Sequence, residues 1–184
     1  MQYKLTTPVT HEDLAPLKAG DTVLLSGTVY TARDAAHKRM MELLDAGKPL
    51  PVPLEGSAIY YVGPTPERPG QVIGSAGPTT SGRMDAYSPR LLELGLSVMI
   101  GKGARNQAVK DAVVRSGAVY LAALGGAGAL MAANVKELEI ICWEDLGCEA
   151  VRRLEVEDLP LTVILDAHGG DLYQSGPAAY LASL

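Results

Sequence analysis

Apolar and polar positions alternate from Val23 to Tyr30, directly after a Gly-Asp turn, and this two-residue period predicts a strand. The period then lengthens. Across Asp34–Asp45 the apolar residues Met40, Leu43 and Leu44 recur at helical spacing, and Gly47 stands where such a helix stops. The next stretch, "KPLPVPLEGSAIYYVGPTPERPG", holds too many prolines for a regular helix and predicts a loop running into a strand at Ala58–Val62. A second strand fits Gln71–Ser75, with a helix over Ser81–Leu94 behind it. "LSVMIGKG" reads as a buried strand closed by Gly101. "ARNQAVKDAVVRSG" reads as a helix of about three turns, with Val109, Ala112 and Val113 inward and Gly117 as its stop. "AVYLAAL" is another buried strand, "GAGALMAAN" a short helix and "VKELEIICWE" a strand. "VRRLEVEDLPLTVILDAHGGDLYQ" reads as strands with a Gly-Gly turn.

Strand and helix thus alternate through the second half, which favours a parallel sheet with crossover helices. The first half and the C-terminus read as more antiparallel. The pattern predicts one α/β domain over residues 1–184 with an added β layer, without repeats or linkers. Composition sharpens this only at one point. There is no Phe and a single Trp, so the core must rest on Leu, Val, Ile, Ala and Tyr. The net charge of −5 argues against a nucleic-acid surface, no stretch approaches the roughly 20 apolar residues of a membrane span, and "MQYKLTTPVT" lacks a signal-peptide apolar region, so a cytoplasmic location is expected. Cys142 and Cys148 are too few to hold a structural zinc or an iron–sulfur cluster by themselves, and buried reduced thiols are the simpler expectation.

"GPTTSGRMD", Gly77–Asp85, carries the strongest chemical signal. Thr79, Thr80 or Ser81 could cap a helix start whose free N–H groups favour an anion, and Arg83 could fork to a carboxylate or phosphate. A plain capped helix with a surface arginine accounts for the same residues. "TARDAAHKR" supplies Arg33 at a strand-to-helix junction, the usual place for ligands in α/β folds. Lys38 and Arg39 read as a solvated helix face, and His37 is open to both readings. In "IGKGARN", Lys102 lies between glycines that let backbone approach a ligand, although the Walker spacing is absent. "LGGAGALM" misses the dinucleotide fingerprint, and its glycines suit close packing or a tight turn. Asp166, His168 and Asp171 could be read as metal ligands, but their place around a Gly-Gly turn favours a hairpin. Arg33, Arg83 and Lys102 remain, each at the C-terminal end of a predicted strand, with hydroxyls beside the second. They suit a small dianion such as a dicarboxylate. The chain shows no redox centre or strong general base of its own.

"GPTTSGRMD", "GKGARNQAV", "YLAALGGAGAL" and "LEVEDLPLTVILDAHGGDLY" together resemble the β subunit of class I fumarate hydratase. The same module forms the C-terminal domain of single-chain class I fumarases and the β subunit of L-tartrate dehydratase. The resemblance runs from "LTTP" at Leu5–Pro8 nearly to the C-terminus. It implies a swivelling β/β/α three-layer domain with a mostly parallel central sheet and an additional antiparallel β layer. It further implies a hydro-lyase interconverting fumarate and L-malate, in which a partner α subunit carries a [4Fe–4S] cluster with one open iron acting as a Lewis acid. Arg33, Arg83 and Lys102 then bind substrate, and Thr79 is the catalytic base or proton relay, within a higher assembly such as α2β2. An L-tartrate dehydratase subunit, or a non-catalytic dicarboxylate-binding or assembly module, are the other readings.

Overall fold

Side chains of the central strands point alternately into two separate cores, and this alternation sets the architecture. In the computed structural model, which describes residues 1–184, the strands are β1 (Gln2–Thr6), β2 (Thr22–Thr31), β3 (Ala58–Tyr60), β4 (Val98–Gly101), β5 (Val119–Ala122), β6 (Val135–Cys142) and β7 (Val151–Leu165). The helices are α1 (His11–Leu14), α2 (Asp34–Asp45), α3 (Ser88–Glu93), α4 (Gln107–Ser116), α5 (Gly128–Ala133) and α6 (Leu172–Ala182), with 3-10 turns at Ser81–Met84 and Glu144–Glu149. Ala58, Tyr60, Val98, Ile100, Val119 and Leu121 face a core shared with Leu5, Leu25, Leu154 and Leu161 of the outer strands. Ile59, Met99 and Tyr120 face the opposite way, against Met40, Leu91, Val109 and Val113 of α2, α3 and α4. Helices, a central sheet and an outer β layer therefore stack in that order. Each fully buried aliphatic side chain contributes roughly 1.5–3 kcal/mol to holding them together.

Strand order is β1-β2-β3-β4-β5-β7-β6, and β2 also pairs with β7, so the ladder closes into a ring through β2, β3, β4, β5 and β7. Strands β1 to β5 are parallel. Strand β7 runs against its neighbours: its first residues lie along β6, its middle along β2 and its last along β5. A register shift between Leu25 and Gly27 bends β2 where it crosses β7.

Without phenylalanine, the large aromatic volume of the core comes from Tyr60, Tyr61 and Tyr120, all fully buried. A buried phenol needs a partner. Tyr60 donates to Ala76 O at 2.6 Å, Tyr61 Oη lies 3.1 Å from Ser88 Oγ, and Tyr120 donates to Ser81 Oγ and Gly103 O, both at 2.9 Å. All these partners lie between residues 76 and 103, so the aromatic core also pins the loops that follow β3 and β4.

Most predicted elements form where the pattern places them, with four differences. Gln71–Ser75 is irregular rather than a strand, caught between the prolines at 64, 66 and 69 and the turn at Gly70, though Ile73 still reaches the core. The helix expected over Ser81–Leu94 is split into a 3-10 turn and α3. Pro89 tolerates only the first turn of a helix, so α3 begins at Ser88. The first half is parallel rather than antiparallel, with β1 a parallel neighbour of β2 that periodicity did not reveal. After the Gly-Gly turn the chain makes one antiparallel bridge, Leu165 to Asp171, and then enters α6 instead of another strand. No helix is long and apolar enough to cross a membrane.

Candidate active site

The loops after β2, β3 and β4 meet at the C-terminal ends of those strands. Segment 77–83 is threaded between them: Pro78 bridges to Val62, Thr80 bridges to Lys102, and Thr79 donates its main-chain N–H to Tyr61 O at 2.8 Å. Ser81 locks the arrangement from inside. It is fully buried, donates its N–H to Lys102 O at 2.8 Å, and its Oγ accepts from Lys102 N at 3.0 Å and from the Tyr120 hydroxyl. A Cβ on Gly101 would overlap that hydroxyl, which is why glycine precedes Lys102. On the far side Ala76 donates to Gly128 O at 3.0 Å, and a Cβ on Gly128 would run into Ser75 Oγ and Gly77. Of the glycines in "LGGAGALM", Gly128 thus serves close backbone packing against the motif, and Gly126 takes the left-handed turn conformation, as the two sequence readings allowed.

Beneath the site lies a buried ion pair that joins the two motifs. Arg105 Nε donates to Asp85 Oδ1 at 2.6 Å, and its NH2 donates to Ser88 Oγ at 2.7 Å. The other carboxylate oxygen of Asp85 accepts Asn106 N–H at 2.6 Å, where Asn106 caps α4. The guanidinium stacks within cation–π range of Tyr120 and Tyr61, 5.0 and 5.4 Å from the ring centres. Neither residue stands out in the sequence. The only signal was that "GRMD" and "GKGARN" each carry one member.

Arg33 follows β2 and begins α2, and its side chain lies across Gly63 with 19% exposure. Arg83 sits on the 3-10 turn, 53% exposed, and donates through Nε to Asp34 Oδ1 at 2.8 Å. The other oxygen of Asp34 is 3.8 Å from Arg33 NH2, so one carboxylate lies between both arginines. Glu149 approaches Arg33 NH2 at 3.6 Å and accepts Ala35 N–H at 2.9 Å. Lys102 is tied by its backbone to Thr80 and Ser81, with its side chain running beside Gly125. The Thr79 hydroxyl and the Lys102 ammonium enter no hydrogen bond or ion pair within the chain. The two arginines are thus held together by carboxylates at Asp34 and Glu149 that sequence reading had not singled out, while Thr79 and Lys102 are set on the adjoining loops by their backbones.

The helix N-terminus expected at Ser81 is absent. Thr80 makes no side-chain cap, and a four-residue 3-10 turn aligns too few peptide dipoles to act as a helix end. His37 is wholly buried, with Nδ1 2.8 Å from Arg33 O and its ring between Tyr61 and Tyr87. Burial pushes its imidazole down to about 4. Arg39, by contrast, pairs with Asp145 on the surface.

Asp166, His168 and Asp171 are spent on structure. The Asp166 carboxylate accepts N–H groups from Ala19, His168 and Gly170 at 2.8–2.9 Å. Burial alone would raise its carboxyl, but these donors outweigh it and hold it below the usual carboxylate range. His168 Nε2 sits 2.7 Å from Ala15 O, while Asp171 caps α6 and pairs with Lys110 at 2.6 Å. No group of three or more His, Cys, Asp or Glu side chains is placed to hold a metal ion. Cys142 is half-buried and Cys148 exposed, which corrects the expectation of two buried thiols. These two thiols do not make a cluster-binding set, which needs three or four.

The site is an open face. One cleft, lined in part by His11, Glu93 and Arg115, lies near Gly95 and Gly117 before β4 and β5, at the other end of the sheet. None of the larger clefts gathers Arg33, Thr79, Arg83 and Lys102.

Comparison with known proteins shows the family. The family model described as Fumarase C-terminus matches residues 1–176. The chain is 43% identical over 152 residues to the anaerobic class I fumarate hydratase of Escherichia coli K12, covering 82% of this chain and 28% of that protein. It is 40% identical over 164 residues to fumarate hydratase 2 of Leishmania major, covering 88% and 29% respectively. The L(+)-tartrate dehydratase subunit beta of Escherichia coli K12 is 34% identical over 177 residues, covering 94% of this chain and 87% of that subunit. The chain therefore spans under a third of the fumarate hydratases it matches, but nearly the whole of the tartrate dehydratase subunit. On these matches the chain belongs to the fumarase C-terminal family, and its relatives include class I fumarate hydratases and a tartrate dehydratase subunit beta.

Proposed function

We propose that this chain is the β subunit of a hydro-lyase that interconverts fumarate and L-malate, supplying the carboxylate-binding half of a site that a cluster-bearing α subunit completes. The observation that carries this reading is the cation group on an open face. Arg33 and Arg83 flank one internal carboxylate, and the adjoining loops carry Lys102 and Thr79, whose ammonium and hydroxyl pair with nothing in the chain. A small-molecule site is ordinarily concave and shields most of its ligand. An exposed half-site therefore suits a second subunit as its cover. The helix, sheet and strand layers support reading the fold as the family's swivelling β/β/α module, and the proposal includes a cytoplasmic assembly such as α2β2.

This chain's own part in the reaction follows from its side chains. The arginine forks and the ammonium bind and orient the two substrate carboxylates, and they tighten as charge builds beside C3 when its proton leaves. Conversion of L-malate to fumarate removes a proton from C3 and hydroxide from C2, one water in all. Thr79 is assigned to move the C3 proton. An isolated threonine hydroxyl is a very weak base, so it acts as a relay to an acidic group of the partner, with Arg83 close by in the same loop. The [4Fe–4S] cluster belongs to the partner in this reading, since this chain offers no ligand set for it.

L-tartrate dehydration is the second reading, favoured by the nearly full-length match to a tartrate dehydratase β subunit. The two substrates differ by one hydroxyl. Identity does not separate the two, at 39–43% to fumarate hydratases and 34–40% to tartrate dehydratase β subunits, and fumarate is taken first on the resemblance of "SGRMDAY" and "EVEDLP" to the fumarase pattern. The test is to purify the chain with a co-expressed cluster-bearing subunit and follow absorbance with fumarate, L-malate or L-tartrate. Faster turnover of fumarate and L-malate is expected. Preference for L-tartrate would assign the second reading, and no turnover of any of the three would leave a binding module.

A further inference from the structure

We infer that Asp34 is a positioning residue that aims Arg83 and Arg33 at a guest carboxylate, an inference that rests on the dicarboxylate-binding reading above. Asp34 is the first residue of α2, and its carboxylate stands between two guanidiniums. Two like charges so placed would push apart without a negative group between them.

The way each arginine is held matters more than the charge. Arg83 is gripped by Nε at 2.8 Å, which leaves its two terminal nitrogens free as a fork for a carboxylate. Arg33 is held more loosely, with NH2 3.8 Å from Asp34 Oδ2 and 3.6 Å from Glu149 Oε1. Arg33 Nε and Asp34 Oδ2 are both buried without a hydrogen-bond partner, although they are donor and acceptor on adjacent residues. Buried orphans are uncommon in folded proteins. Here they leave Arg33 free to shift toward a guest while Arg83 stays fixed.

Charge and aim predict opposite outcomes when Asp34 is removed. Asp34 is negative, so if it acted only through charge, deleting it would tighten binding of an anion. If it acts by aim, deletion releases Arg83 and weakens binding. Asp34→Ala removes both charge and acceptor, whereas Asp34→Asn drops the charge but keeps an acceptor for Arg83 Nε.

The test is to titrate the purified chain with succinate, a dicarboxylate with no hydroxyl to lose, while following arginine side-chain N–H signals by NMR. In the unmodified chain the Arg83 Nε–H exchanges slowly with water and shifts as succinate is added. Asp34→Ala is expected to abolish the slow exchange and raise the succinate dissociation constant at least about tenfold, while Asp34→Asn stays within about threefold of the original. If Asp34→Ala lowers the melting midpoint, Asp34→Ser provides the same comparison, since serine suits a helix start but is too short to reach Arg83. Succinate binding that is unchanged or tighter in the Ala or Ser variant overturns the inference, as does equal Arg83 Nε–H exchange in all variants, or an Asn variant as weak as Ala. If succinate shifts nothing even in the unmodified chain, the titration is repeated with the co-expressed second subunit, where no shift means that the dicarboxylate reading fails, and the Nε–H comparison still decides the role of Asp34.

Discussion

His37 shows how a single side chain can be fixed by its surroundings. Nothing polar or charged hydrogen-bonds its Nε2, aromatic rings stand on two sides, and Nδ1 meets Arg33 O one turn back. With the Arg33 carbonyl as acceptor, Nδ1 carries the proton of a neutral ring. The charged form would need water that burial excludes, so its pKa falls from about 6.5 to about 4. Between those values the unfolded chain takes up a proton that the folded chain refuses. Stability from this group is therefore complete above about pH 6.5 and is lost toward pH 4, at roughly 1.4 kcal/mol per pH unit. We expect the His37 ring signals in NMR to stay in the neutral position from pH 7.5 down to 5, and the melting midpoint of His37→Gln to fall less than that of the unmodified chain over this range. Titration of His37 near pH 6.5 would show that the ring reaches water. From the sequence, His37 was open between a ligand group and a solvated helix face, and the fold makes it neither. Its neighbours Lys38 and Arg39 suggested a polar helix face, and only Tyr61 and Tyr87, far along the chain, bury it.

Among the elements, the loop pair after β3 and β4 depends on Arg105 and Asp85. Their side chains are 0% and 10% exposed, so the pair is held in low dielectric by hydrogen bonds and two tyrosine faces. Breaking such a pair from one side strands a buried charge and costs about 3–5 kcal/mol. Arg105→Ala should lower the unfolding free energy measured by urea titration by that amount, whereas Arg39→Ala, which breaks a surface pair, should barely move it. Equal small losses would mean that Asp85 finds another partner or water. The element scale also shows what periodicity can and cannot reach. The long run Asp34–Asp45 and the buried strands at Val98–Gly101 and Val119–Ala122 were legible because one face of each is apolar throughout. Strand β1 was not, since its alternation, Tyr3 and Leu5 between Gln2, Lys4 and Thr6, runs for only five residues and fully buries only Leu5. Helix α6 was hidden for the opposite reason: it buries none of its residues and so shows no amphipathic stripe.

For the whole molecule, a closed ring of strands sets the loops after β2, β3 and β4 side by side, and those loops bring together cations that are 19 to 69 positions apart in sequence. The sequence pointed to Arg33, Arg83 and Lys102 because glycine-rich turns and strand ends are where ligands meet α/β folds. It could not point to Asp34 or Glu149, which look like ordinary helix-start and turn carboxylates until the fold sets them against the arginines. The central claim is that these cations grip a doubly negative substrate on a face completed by a second subunit. Steady-state turnover of fumarate by Arg83→Ala in the reconstituted two-subunit complex tests it most directly, with the melting midpoint as a control. The expected result is a loss of at least about 10²-fold with the midpoint unchanged, as for other contacts to a developing charge. Near-normal turnover by the variant would contradict the account.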